Sequence, residues 1–169
     1  MIQDIFISND LARFVLPDHA RIWIFQADRF FTDEEAADIQ LAGDRFAAQW
    51  QAHGKELAAQ FVLSDRLFAI MAIDEQVEGA SGCSIDKFMR FILDTETKFG
   101  LSLTNRMCFA FISNDEIKIC RRKDIEICRA EAGLNAGSLV FDNLLPNLGE
   151  LRRNRLKPAS QTWLAGLLK

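Results

Sequence analysis

"LAAQFVLSDRLFAIMAID", residues 57–74, reads as two runs of β-formers, Leu57–Leu63 and Leu67–Ile73, joined by Ser64-Asp65-Arg66. The polar joint is short enough for a hairpin. The second run is apolar on both faces, the pattern of a strand in the middle of a sheet. Upstream, "RIWIFQAD" (21–28) has the same two-faced character.

Helices stand on either side of this hairpin. In "FFTDEEAADIQLAGDRFAAQWQAHG" (30–54), Thr32 and Glu35 form a capping box, acids fill the first turn, and Gly54 supplies a stop. Its inward stripe reads Ala36, Ile39, Gly43, Phe46, Trp50 and His53. Downstream, a glycine-containing loop leads into a second helix over 85–99. "MCFAFIS" and "IKIC" then form another hairpin about Asn114-Asp115.

The order strand, helix, strand, strand, helix, strand is the ferredoxin-like βαββαβ plan, extended by one strand. The expectation is therefore an α+β protein: a single domain over 1–169, with an antiparallel sheet carrying helices on one face. Its core spans about 20–145, and residues 146–169 form a C-terminal helical extension. In that plan the first and third strands are central. Beyond Cys120, "RRKDIEICRAEAG" reads as a short helix, "SLVF" as a last strand, and Asn147–Glu150 as a cap. A terminal helix from Ser160 would bury Trp163, Leu164 and Leu167.

With 169 residues, about half of them apolar, the chain is long enough to bury one real core. Fourteen Phe and three Trp without a Tyr suit core filling better than a hydroxyl-rich recognition face. Residues 1–120 hold 11 basic and 19 acidic side chains (−8), whereas 121–169 hold 9 and 5 (+4). The balance is too acidic for nucleic acid to be the expected ligand. Cys83, Cys108, Cys120 and Cys128 are separated by 25, 12 and 8 residues with no Cys-x-x-Cys pair, so free, mostly buried thiols are expected. "MIQDIFISNDLARF" has acids where a signal peptide needs a basic start, and no window approaches about 18 consecutive apolar residues. The expectation is a soluble cytoplasmic protein with no membrane association.

The apolar run 68–73 closed by Asp74-Glu75 has the outline of an ATPase strand ending in its acids. A phosphate loop needs Gly-x-x-x-x-Gly-Lys-Ser/Thr between a strand and a helix. The one Gly-Lys, Gly54-Lys55, follows a helix and has no glycine five residues before it, so ATP hydrolysis is not expected. The strings "HGKELAAQF", "AIDEQVEGASGCSIDKFMRFI" and "VFDNLL", with "FFTDEEAADIQ" and a terminal Pro-x-Ser-x-x-Trp, resemble a family of uncharacterised bacterial proteins often labelled "ABC transporter ATPase". The resemblance covers most of Ile22 to Trp163. It implies no activity, cofactor or catalytic residue.

"EGASGCSID" (78–86) is the candidate site. Gly82, Cys83, Ser84 and Asp86 stand at a helix start where backbone amides and the helix dipole favour a small anionic ligand near Ser84. Cys83 with His53 nearby is a candidate nucleophile, and Asp74 a candidate acid. Asp74, Glu75 and Asp86 would suit a hard cation only if they converged, and no metal or other cofactor is expected. The competing reading makes Ser84 an ordinary N-cap and Cys83 a small buried hydrophobe. Arg121-Arg122-Lys123 and Arg152-Arg153 read as solvated faces, with an anionic partner as the minor alternative. The favoured function is a non-catalytic binding or interaction domain, with a protein partner or as a homodimer. The alternative is a small thiol- or acid-dependent enzyme or ligand sensor at Gly79–Asp86.

Overall fold

In the computed structural model, which describes residues 9–168, a 3-10 turn (Asn9–Arg13) leads into β1 (Arg21–Gln26) and α1 (Asp33–Gln49). Two short strands, β2 (Gln51–Ala52) and β3 (Lys55–Glu56), precede β4 (Ala59–Ser64), β5 (Phe68–Ile73) and α2 (Gly82–Phe99). Then come β6 (Cys108–Ser113), β7 (Glu116–Arg121), α3 (Ile125–Ala132), β8 (Leu139–Phe141), α4 (Leu148–Asn154) and β9 (Leu156–Pro158). The protein is mixed α and β with antiparallel sheets. Among the described residues no helix is long and apolar enough to cross a membrane.

β5 is the centre of the first sheet, ordered β1-β5-β4, and every one of its residues is buried. Its two-faced apolar sequence requires this, because each side chain leaves water whichever way the pleat points. The order matches the first three strands of a split βαβ plan. The fourth strand departs from it: among the described residues β6 pairs with β7 and β8, in a second sheet ordered β7-β6-β8-β9. β1 therefore lies at the margin of its sheet, bridged on its outer side by Asn147 opposite Arg21 and by Pro146 accepting from the Ile22 amide. The terminal segment also differs from an all-helical extension. β9 completes the second sheet, and Ser160 begins no helix but lies in a 3-10 turn, followed by another at Trp163–Gly166. Leu164 is buried there and Trp163 is exposed.

Three tight turns set the registers. His53-Gly54, Asp65-Arg66 and Asn114-Asp115 all have positive φ at both central positions, between 50° and 79°. At His53-Gly54 and Asn114-Asp115 this is the type I′ geometry whose twist matches a two-residue hairpin, whereas three residues, Asp65 to Leu67, join β4 to β5. The first of them corrects the expected end of α1. The capping box at Thr32 and Glu35 is present, but the helix stops at Gln49, and His53 leaves the inward stripe for an exposed turn. Trp50 causes the break: its buried indole Nε1 donates to the Ser84 carbonyl at 2.8 Å, and its own carbonyl accepts from the Leu57 amide. α1 lies so close to β4 that a Cβ at Gly43 would collide with the Phe61 ring. Most of the described Phe and Trp side chains lie in the core, with Phe30 and Trp163 exposed. Phe46, Trp50, Phe88 and Phe91 form one aromatic cluster under α1 and α2, and Trp23 joins it from β1.

The sheets meet where Phe68 packs on Phe141, ring centres 4.8 Å apart. Arg155 lies over both rings and donates to Asp65 Oδ2 at 2.6 Å and Ser64 Oγ at 3.1 Å. Burial pushes its guanidinium pKa down, while Asp65 pulls the other way.

A second correction concerns sulfur. Cys120 and Cys128 form a disulfide, with Cα atoms 6.4 Å apart, rather than two free thiols. The end of β7 and the start of α3 fold back on each other across the Arg122–Asp124 turn, which brings two cysteines eight residues apart together.

At the start of α1, Arg29 forks onto both oxygens of Glu35 (2.7 and 2.9 Å), and the Thr32 amide donates to the same carboxylate. These contacts lower the Glu35 pKa to about 2. An unfolded carboxyl titrates at about 4.3. Glu35 therefore favours the fold fully above that value, and its contribution is lost as pH falls towards about 2. Thermal melts of Glu35→Gln against wild type should show a shallower decline of Tm with acid across this window. An unchanged pH slope would contradict the assignment.

Candidate functional site

The glycine loop is a well-formed helix start. α2 begins three residues earlier than its apolar pattern suggests, with Ser81 as N-cap. Ser84, expected at the cap, is buried at the third helical position. The two serines close a reciprocal box: Ser84 N donates to Ser81 Oγ at 3.2 Å, and Ser81 N to Ser84 Oγ at 2.8 Å. Gly82, Cys83 and Asp86 are exposed. No hydrogen bond or ion pair among the described residues joins His53 to Cys83. Asp74 instead takes His19 Nε2 at 2.9 Å and the Gln76 amide at 3.0 Å, and the His19 bond lowers its pKa. Glu75 pairs with Arg21 at 3.4 Å. Among the described residues no three His, Cys, Asp or Glu side chains converge to hold a metal ion, so Asp74, Glu75 and Asp86 do not meet.

The better-defined concavity lies elsewhere, at the seam between the two sheets. It has a volume of about 640 Å³ and is lined by Asp28, Asn105, Met107, Arg121, Arg122 and Lys123. Small-molecule sites commonly occupy about 300–1,000 Å³. Asp28 follows β1, Asn105 and Met107 precede β6, and the three cations follow one another from the end of β7 into the Arg122–Asp124 turn.

The lining is fixed from behind. The Asp28 amide donates to the Ser102 carbonyl, and Ser102 N returns a bond to Asp28 Oδ1, both at 2.9 Å. Glu96 accepts from the amides of Leu103 and Thr104 at 2.6 and 2.7 Å and from the Thr104 hydroxyl at 2.8 Å. Burial raises the Glu96 pKa, but these bonds outweigh it and hold the group below its ordinary value. The Arg122 amide donates to the Met107 carbonyl at 2.8 Å, which joins two walls. Beneath, Cys108 is buried and receives Gln26 Nε2 at 3.7 Å. Burial, then the Asp28 charge, push its thiol pKa up.

Charge distinguishes the run Arg121-Arg122-Lys123 from the basic residues that follow it. Arg152 and Arg153 both pair with Asp18, Arg155 with Asp65, Lys157 with Asp142 and Arg129 with Glu126. Arg121 lies 3.6 Å from Asp28, but among the described residues Arg122 and Lys123 have no ion-pair partner. Three cations thus line a pocket with one carboxylate, and that carboxylate is already committed to the Ser102 loop. Such an array can orient an anion through the Arg forks and the Lys ammonium. The residues lining it include no histidine and no free thiol.

The sequence reads Arg121-Arg122-Lys123 as a solvated face with an anionic partner as the minor alternative, and all three side chains are exposed; Asp28, Asn105 and Met107 carry no such signal. The signal available was the switch in charge at residue 121, where the acidic part of the chain gives way to the basic part. No known protein family, curated protein or solved structure matches the chain.

Proposed function

We propose that the protein is a soluble, cytoplasmic, non-catalytic binding domain that takes up a small anionic molecule in the concavity between the sheets. Phosphate or carboxylate is the chemistry its cations suit. The observation that carries this reading is the pair Arg122 and Lys123, without ion-pair partners among the described residues, beside Arg121 on one rim of a 640 Å³ pocket. Met107, half exposed in the wall, offers apolar contact to the rest of such a ligand. In the alternative site Cys83 is exposed, but among the described residues no base is bonded to it, so the reading as a binding domain is preferred to thiol catalysis.

Titration calorimetry with pyrophosphate at low ionic strength tests the proposal. Hydrogen bonds to charged groups contribute about 1.5–3 kcal/mol each. Arg122→Gln with Lys123→Gln should therefore weaken binding by about tenfold or more, and added salt should weaken it further. Arg90→Gln, on the exposed side of α2, should leave binding unchanged. A double variant that binds as wild type does would overturn the assignment.

A further inference from the structure

The three cations of the concavity lie directly inside the loop closed by the Cys120–Cys128 disulfide. We propose that this disulfide is a reversible redox switch on the anion affinity of the concavity; the inference rests on the binding reading above. With the bond closed, β7 and α3 are tied together and Arg121, Arg122 and Lys123 are presented from a covalently closed turn.

Besides the disulfide, α3 is held by Ile125, Cys128 and Ala132, which pack against the cluster of Phe109, Phe111 and Leu164. It has eight residues, of which only Ile125 is buried, and an isolated helix of that length is not stable in water. Ser113 Oγ donates to the Ala132 carbonyl at 2.7 Å, at the far end of the helix from the cations. On the concavity side Arg121 is held in the β6–β7 ladder opposite Cys108 and lies 3.6 Å from Asp28, and Arg122 is tied by its backbone bond to Met107. Opening the disulfide lets Arg122 and Lys123 sample many positions. Affinity then falls by the fraction of time the binding arrangement is absent.

The chemistry needs a dithiol reductant. Cys120 is buried and Cys128 is partly exposed, so the reductant's thiolate attacks Cys128 Sγ. The Cys120–Cys128 bond breaks, a mixed disulfide forms on Cys128, and Cys120 leaves as a thiolate that takes a proton. The reductant's second thiolate then attacks its own sulfur in the mixed disulfide and releases Cys128 as the second thiol. Two electrons and two protons pass to the protein, and the reductant departs as a disulfide. In a reducing compartment, disulfides that form are usually transient and redox-sensing.

The experiment uses the full chain, purified without reductant, then reduced with dithiothreitol and freed of it under nitrogen. Thiol titration in denaturant should find two reactive thiols, Cys83 and Cys108, before reduction and four after it. Reduction should weaken pyrophosphate binding by about fivefold or more and speed amide hydrogen exchange across 121–132, and reoxidation should restore both. Cys120→Ser with Cys128→Ser should behave as the reduced protein and ignore dithiothreitol, whereas Cys83→Ser should behave as wild type. Four thiols in the unreduced protein would overturn the switch. Equal binding and equal exchange in both states would overturn the switch but leave the binding site standing. Absence of pyrophosphate binding in either state overturns the binding reading, and the switch with it.

Discussion

Arg155→Ala should destabilise the protein by about 3 kcal/mol or more in urea unfolding, towards the lower end of the range for breaking a buried ion pair because Asp65 keeps some exposure. Its guanidinium lies over the contact between Phe68 of one sheet and Phe141 of the other, 4.8 Å from each ring centre, while its Nη2 holds Asp65 and Ser64. Removing it uncovers that aromatic contact and strands the Asp65 carboxylate. Its Nη1 is buried without a hydrogen-bond partner among the described residues. The pair is therefore not an ideal one, and an uncharged replacement of both members should be tolerated far better. Arg155→Met with Asp65→Asn should recover most of the lost stability. A cost below about 1 kcal/mol would show that Arg155 adds little to the Phe68–Phe141 contact between the sheets.

Trp50→Ala should cost about 3–5 kcal/mol, the range for emptying a large buried aromatic site. Trp50 is 2% exposed, lies among Trp23, Phe46 and Phe88, and bonds the Ser84 carbonyl at 2.8 Å. It is the point where the end of α1 is tied to the start of α2. Trp50→Phe keeps most of the apolar volume and loses the bond, for about 1 kcal/mol. The difference between the two variants in urea separates packing from hydrogen bonding. A loss for Trp50→Phe as large as that for Trp50→Ala would contradict the packing account.

How much of this was legible depended on the range of the interaction. The β4–β5 hairpin, the capping box at Thr32 and Glu35, and the turn at Asn114-Asp115 are local, and the sequence pattern places each of them. His53 was misplaced because Phe46, Trp50 and His53 keep helical spacing through a break made by a distant partner, Ser84. Ser84 itself was misread because Ser81 and Ser84 can each cap, and only packing decides which is buried. The pairing of β6 with β8 instead of β1 is a choice between two long-range partners of similar apolar character. Periodicity carries no information about it.

The candidate site was legible only in pieces. Arg121-Arg122-Lys123 was visible as charge, but the carboxylates that neutralise Arg152, Arg153 and Arg155 while leaving Arg122 and Lys123 unpaired among the described residues come from residues 90 to 135 positions away. Cys120 and Cys128 looked like separate thiols because the fold, not the spacing, turns β7 back onto α3.

The central claim is that anions enter the concavity between the sheets and not the helix start at Ser84. A backbone-amide NMR titration of the full chain with pyrophosphate tests this most directly. The predicted result is shifts concentrated at Asp28, Asn105, Met107 and Arg121–Lys123, with Gly82–Ser84 unmoved. Shifts concentrated at Gly82, Cys83 and Ser84, or none at residues 121–123, would contradict it.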